Sequence, residues 1–370
     1  IFFSALLYLI KERPVMGSDF KRTLIWVVFL SALFLLWDSW QVYNGRPSFF
    51  GAAPVEQSAQ ASAADSAAVP AAVADKSAVP EVAGQEGRLI DVSTDLMKLT
   101  FDEQGASLVR AELLKMKELP KWNEVGLVGL ILGNKEEAHK NVVLFDHTKE
   151  HFYEAQTGVI GAEGAPNHRS AYKLVEGPLS LTDGQGKLDV KFVSGAGAVK
   201  VEKTYSLEAG HYGMTVTHSI TNESGKTVTP SVYYQLVRDD HQAEGQSSFT
   251  NSYLGAAVYT EEDKFQKVSF KDIAADSKDY PSKTNNGWIA MIQQHFLSAW
   301  VPPQKAEREI FTRRLTSDTY AVGTIIGLGE VAPGKTVSET ATLYVGPQAQ
   351  KRLAQIAPGL DLVVDYGWLT

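Results

Sequence analysis

Cysteine is absent from the 370 residues. Its absence excludes disulfide-framed folds, thiol catalysis and cysteine-ligated zinc or iron–sulfur centres. Export stays open, because a large domain can be stable in an oxidising compartment without bridges. An excess of positive charge is also missing. The chain has 35 Lys and Arg against 43 Asp and Glu, a net charge of -8, which matches a phosphate backbone poorly, so no nucleic-acid partner is expected. The regular βαβ alternation of a dinucleotide-binding chain is lacking, and no Gly-rich loop follows a strand; GAGAVK at 195–200 reads as a bend. None of the eight histidines forms HExxH and no serine sits in a GxSxG elbow.

One long apolar run is present. Residues 24–37, LIWVVFLSALFLLW, carry no charge, and continuing to Tyr43 gives twenty residues broken only by Asp38 and a few polar neighbours. At about 1.5 Å per residue this reaches roughly 30 Å, the thickness of a hydrocarbon core. A transmembrane helix is therefore expected over 23–43, with Trp26, Phe29, Leu33 and Leu36 in lipid and Trp37 and Trp40 at the outer interface. Lys21 and Arg22 precede the run, so the amino end is placed in the cytoplasm and everything after about residue 43 on the far side. A cleaved signal peptide is the rival, but Asp38-Ser39-Trp40-Gln41 makes a poor cleavage site. Residues 1–15 precede a natural-looking start at Met16, and residues 1–22 are assigned to an extension and a cytoplasmic flank.

Residues 44–88 are mostly Ala, Pro, Ser and Val, with Pro54, Pro70 and Pro80 interrupting any helix. With few large side chains to bury, this stretch reads as a flexible tether. Over 89–345 the texture changes to short β-rich runs separated by Gly, Asn and Asp. In one of them Met214, Val216, His218 and Ile220 share a face opposite Thr215, Thr217 and Ser219. Many short strands of this kind argue for a mainly β, antiparallel sandwich. Over 346–370, QAQKRLAQIAPGLD predicts a helix that Pro358-Gly359 stops, followed by an apolar, aromatic end that reads as truncated.

Chemistry-bearing clusters are few. His147 and His151 are the closest useful histidine pair, but they flank turn-like sequence and no metal site is expected. Asp239-Asp240 and Glu261-Glu262-Asp263 read as solvated turns. Trp288, Met291, Phe296 and Trp300 read as sandwich core, the competing reading being an aromatic groove for a polypeptide or a sugar. Asn222-Glu223-Ser224 matches a glycosylation sequon, a pattern short enough to arise by chance. No catalytic, metal-ligating or cofactor-binding residue is nominated.

Several blocks nevertheless converge in order on one family. MGSDFKRTLIWVVFLSALFLLWDSWQVYNG resembles the first transmembrane segment of the bacterial YidC membrane protein insertases. TDLMKLTFDEQGASLVRAEL, HFYEAQTGVIG, YSLEAGHYGMTVTHSITN, NSYLGAAVYTEEDKFQKVSF, GWIAMIQQHFLSAWVP and LYVGPQAQKRLAQIAPGLDLVVDYGWLT resemble the family's large periplasmic domain. The resemblance runs from Met16 to Thr370 apart from the tether. It implies a periplasmic β-supersandwich with a carboxy-terminal helix, preceded by one transmembrane helix, in an inner-membrane insertase and chaperone. It implies nascent membrane proteins, the Sec translocon with its accessory subunits, and the lipid bilayer as partners, no cofactor, and no catalytic residues. In the family the insertion groove is built by five later transmembrane helices, which would lie beyond Thr370. Lys351, Arg352, Leu353 and Ile356 are the candidate surface coupling the sandwich to the membrane part, against the favoured reading that this helix is an ordinary amphipathic brace packed on the sandwich. The alternative is a membrane-anchored carbohydrate-binding or mutarotase-like sandwich, which requires a cleft with paired His and acidic groups.

Overall fold

A computed structural model of the chain describes residue 30 and residues 87–117, 140–148, 151–181, 184–195, 197–241, 253–277 and 279–364. The chain divides into two compact units, Ile1–Ala63 and Ala64–Thr370. Trp26, Phe29, Leu33, Leu36, Trp37, Trp40 and the expected spanning helix lie outside the described residues, apart from Leu30, which is helical. Among the described residues no helix is long and apolar enough to cross a membrane.

Nineteen strands follow one another in the described residues of the second unit: β1 (Leu89–Ser93), β2 (Met97–Asp102), β3 (Ser107–Lys117), β4 (Asn141–Val143), β5 (Asp146–His147), β6 (Phe152–Ile160), β7 (Lys173–Leu174), β8 (Lys187–Ser194), β9 (Val199–Glu208) and β10 (Gly213–Asn222). Then come β11 (Ser231–Asp239), β12 (Gly255–Thr260), β13 (Lys264–Val268), β14 (Lys283–Thr284), β15 (Trp288–Gln293), β16 (Phe296–Val301), β17 (Arg308–Arg314), β18 (Thr319–Gly327) and β19 (Thr336–Pro347). They form two large antiparallel sheets. The first runs β1-β2-β3-β6-β11-β18-β17-β14, with β4 on β3 and β5 on β6; the second runs β13-β12-β15-β16-β19-β10-β9-β8-β7.

Period-two patterning explains why the second sheet faces one way. Leu188, Val190 and Phe192 of β8, Val201, Tyr205 and Leu207 of β9, and Met214, Val216 and Ile220 of β10 are all buried. The alternate residues form a hydroxyl ladder, with Thr217 on Thr340, Ser219 on Ser338 and Thr221 on Thr336 at 2.9–3.1 Å. Such cross-strand pairs fix register, because a one-residue slip would turn the apolar set to solvent. β6 and β11, central in the first sheet, are buried almost throughout.

The sheets share one hydrophobic core and are tied across it by polar contacts. Trp300 Nε1 donates to the Gln235 carbonyl at 3.1 Å, and the Tyr153 hydroxyl bonds Ser298. Trp288, Met291 and Trp300 are 1, 1 and 0% exposed and Phe296 is half-buried, so this aromatic cluster is core and offers no groove. The run KVSF, which reads as strand, divides at Ser269. That residue caps α1 (Phe270–Ala274) in a capping box with Asp272, so the strand ends at Val268. Asn222 is fully buried and spends its amide on the Lys226 and Val331 carbonyls, which removes it as a glycosylation acceptor in the fold.

Candidate functional site

Three places carry more chemistry than packing alone requires. The first is the carboxy-terminal helix α2 (Gln350–Ile356), which is followed by a 3-10 turn (Leu360–Val363). Helical spacing puts Leu353 inward, fully buried, while Ile356 is half-buried and Lys351 and Arg352 are exposed. The four candidate coupling residues thus divide into an anchor and an outer edge. Arg352 lies 5.7 Å from the Tyr212 ring centroid, and the Pro358 carbonyl accepts from Trp288 Nε1 at 3.0 Å, so the helix and its exit are fastened to the second sheet. Gly359, at φ 71°, makes the turn against the Tyr259 ring, where a side chain would collide. Leu360 and Val363 are buried, and Leu362 is half exposed.

The second place is the face of the first sheet turned away from its partner sheet. Cross-strand neighbours Gln156 and Gln235 bond at 2.6 Å, and Gln156 donates onward to Glu154. His147 Nδ1 lies 3.8 Å from Glu154 Oε2, and His151 Nδ1 lies 3.7 Å from Asp239 Oδ2. Burial pushes the Glu154 carboxyl up to about 7, against the opposing hydrogen bond from Gln156. Paired His and acid groups therefore exist, as a sugar-processing site requires. However, Glu154, Gln156 and Gln235 are 6, 2 and 1% exposed and hold one another, so a substrate ring has no access to them in this conformation. Asp239, expected on a solvated turn, is 9% exposed because it accepts from the backbone N–H of Phe152 at 2.6 Å and of His241 at 3.2 Å. Asp240 and Glu261, Glu262 and Asp263 are exposed. Among the described residues, no group of three or more His, Asp or Glu side chains is placed to hold a metal ion.

The third place lies between the sheets. Lys203 occupies an inward position of β9 and is fully buried. Its ammonium donates to the carbonyls of Gly105 at 2.5 Å and Thr157 at 3.2 Å, and sits 4.9 Å from the Tyr172 ring centroid. Burial pushes it down to about 7. Its cross-strand neighbour His218 bonds Thr157 Oγ1 through Nε2 at 2.7 Å; burial, and then the Lys203 charge, hold its imidazole well below the usual range. Arg308, 5% exposed, donates to the carbonyls of Ala306 at 3.0 Å, Gly287 at 3.1 Å, Asn285 at 3.4 Å and Pro303. It thereby knits the β14–β15 and β16–β17 loops together. Neither Lys203 nor Arg308 is nominated from sequence. The available signal was phase, since Lys203 falls in register with Val199, Val201, Tyr205 and Leu207.

Comparison with known proteins supplies the relation that this geometry does not. The family model described as the YidC periplasmic domain matches residues 132–370. Among curated relatives, a protein named membrane protein insertase YidC from Bordetella parapertussis is 40% identical over 370 residues, covering 95% of this chain and 62% of the relative. Proteins of the same name from Herminiimonas arsenicoxydans and Dechloromonas aromatica are 40% and 37% identical, each covering 95% of this chain and 61% of the relative. The chain thus spans less than two thirds of the length of these relatives. A solved galactose mutarotase related enzyme from Lactobacillus acidophilus has a TM-score of 0.44 and 10% identity, covering 70% of this chain and 97% of that one. So slight a likeness bears on neither fold nor ligand.

Proposed function

The chain belongs to the YidC family of bacterial membrane protein insertases, and on that premise we propose that it supplies the anchor and periplasmic domain of an inner-membrane insertase and chaperone. The observation that carries this reading is 40% identity over 370 residues to proteins of that name. The whole protein assists insertion and folding of nascent inner-membrane proteins, alone or with the Sec translocon and its accessory subunits. It performs no covalent catalysis and takes no cofactor.

In this arrangement residues 23–43 span the bilayer, with Trp26, Phe29, Leu33, Leu36, Trp37 and Trp40 as lipid-facing anchors and residues 1–22 on the cytoplasmic side. Residues 44–88 tether a periplasmic supersandwich over 89–345, and 346–370 lead toward the membrane core. The uncharged run at 24–37 and the Lys21-Arg22 flank support that orientation. On this reading the insertion groove lies in the part of the relatives that this chain does not cover. Lys351 and Arg352 form the outward edge that couples the sandwich to the membrane part, with Leu353 and Ile356 holding that edge on the second sheet; the exposure of the first two and the burial of Leu353 support this.

The test is insertion of a model membrane protein in cells depleted of their own insertase. This chain is compared with a version extended through its natural downstream sequence. Rescue by the extended version alone is expected. Rescue by the chain as it stands would remove the groove assignment, and failure of both versions would overturn the insertase reading.

A further inference from the structure

Two cross-strand rows of polar side chains face each other inside an otherwise apolar core. In the second sheet the row is Lys203, His218 and Glu339, joined by the β9–β10 and β10–β19 registers. In the first sheet it is Thr157, Tyr234 and Thr324, joined by the β6–β11 and β11–β18 registers. All six share inward phase with core neighbours such as Val201, Val216, Ala341, Val159, Leu236 and Val322. The rows meet where His218 Nε2 bonds Thr157 Oγ1 at 2.7 Å and where the His218 and Tyr234 rings stand edge to face at 5.5 Å. Glu339 is near enough to Tyr234 to help push its hydroxyl's proton affinity upward.

Four atoms of this layer are buried and have no hydrogen-bond partner in the protein: His218 Nδ1, the Tyr234 hydroxyl, Thr324 Oγ1 and Glu339 Oε1. His218, Tyr234 and Thr324 are 0, 0 and 1% exposed. An unpaired buried polar atom costs about 1–3 kcal/mol, and folded proteins keep only a few per hundred residues, so four in one layer call for a partner.

We propose that this layer is an internal hydration site, in which at least one ordered water bridges His218, Tyr234, Thr324 and Glu339 and so joins the two sheets. The chemistry of the four atoms selects water. Each hydroxyl both donates and accepts, the carboxylate oxygen accepts, and His218 Nδ1 takes whichever role its Nε2 leaves to it. Water alone can answer every combination, and buried waters typically make about three such bonds. A metal cation fits worse, since the layer offers one carboxylate and already holds the Lys203 ammonium beside His218.

A crystal structure of the full chain at a resolution that shows ordered water tests this. The expected result is a density peak at about 2.6–3.2 Å from at least three of the four atoms. Two results overturn it: the four atoms bonded to one another with no peak between them, or a peak at the roughly 2.0–2.6 Å distances of a metal ion. Magnetic relaxation dispersion of solvent deuterium, on the full chain in detergent, counts long-lived waters independently. Tyr234→Phe combined with Thr324→Val removes two of the four partners while keeping the side chains' shapes, and should lower the count by at least one. An unchanged count overturns the proposal.

Discussion

Lys203 should make this protein more stable in mild alkali, whereas a lysine whose proton affinity is the same folded and unfolded contributes no such rise. Its ammonium is buried with two carbonyls and a tyrosine ring for company and with no carboxylate among its hydrogen-bond partners, and burial pushes it from 10.5 to about 7. The unfolded chain therefore binds one more proton than the folded chain between about pH 7 and pH 10.5, and stability rises with pH across that window. The full displacement corresponds to about 5 kcal/mol. Between pH 8 and 9.5 the expected gain is about 2 kcal/mol. That interval lies above the titration of His218, whose imidazole is depressed, and above that of Glu154, raised to about 7. Unfolded tyrosines, ordinary at about 10, already lose some protons at pH 9.5 that buried ones such as Tyr153 and Tyr172 keep, which offsets part of the rise, so the readout is the difference between wild type and Lys203→Met. The assay is urea unfolding of the full chain in detergent, followed by circular dichroism at the strand band, at pH 8 and 9.5. Lys203→Met should abolish the rise while the protein remains folded. A stability difference between wild type and Lys203→Met that stays constant from pH 8 to 9.5 would refute the reasoning.

Other perturbations separate the remaining contributions. Arg308→Met strands four loop carbonyls and should cost about 2–4 kcal/mol by urea midpoint. Leu353→Ala empties the anchor of α2 and should cost about 2–5 kcal/mol by the same measurement, with Lys351→Ala within about 0.5. Glu154 has its folded carboxyl raised from 4.5 to about 7, so its contribution is complete below pH 4.5 and is lost as pH rises to 7. Glu154→Gln should remove that part of the pH profile, read as the difference in urea midpoint between wild type and variant from pH 5 to 7.5.

Much of the sandwich was legible because its outer hydroxyls and inner aliphatics alternate. Met214, Val216, His218 and Ile220 against Thr215, Thr217 and Ser219 is both the sequence pattern and the burial pattern of β10. Trp288 and Trp300 were legible for the same reason, since large aromatics in short apolar runs have little to do except fill the space between sheets. Ser269 was misread because a capping box is a local hydrogen-bond device, and it ended a strand whose apolar texture ran on into Phe270. Asp239 was misread because adjacent carboxylates imply solvent only when no backbone donor waits for them. Here Phe152, 87 positions earlier in the chain, supplies one.

Lys203, His218 and Glu339 show why the candidate chemistry was harder to read than the fold. Each lies in inward phase, so the pattern says buried, while the residue type says solvated; sequence alone offers no way to choose. The choice depends on strands far apart in the chain, because the Lys203 acceptors are carbonyls at residues 105 and 157. Gly105 can present its carbonyl there because, at φ 71°, it carries no side chain to strike the backbone of His168. A lysine in phase with Val201 and Tyr205 is therefore informative only together with a glycine about a hundred residues away, and that pairing exists only once the two sheets have closed on each other.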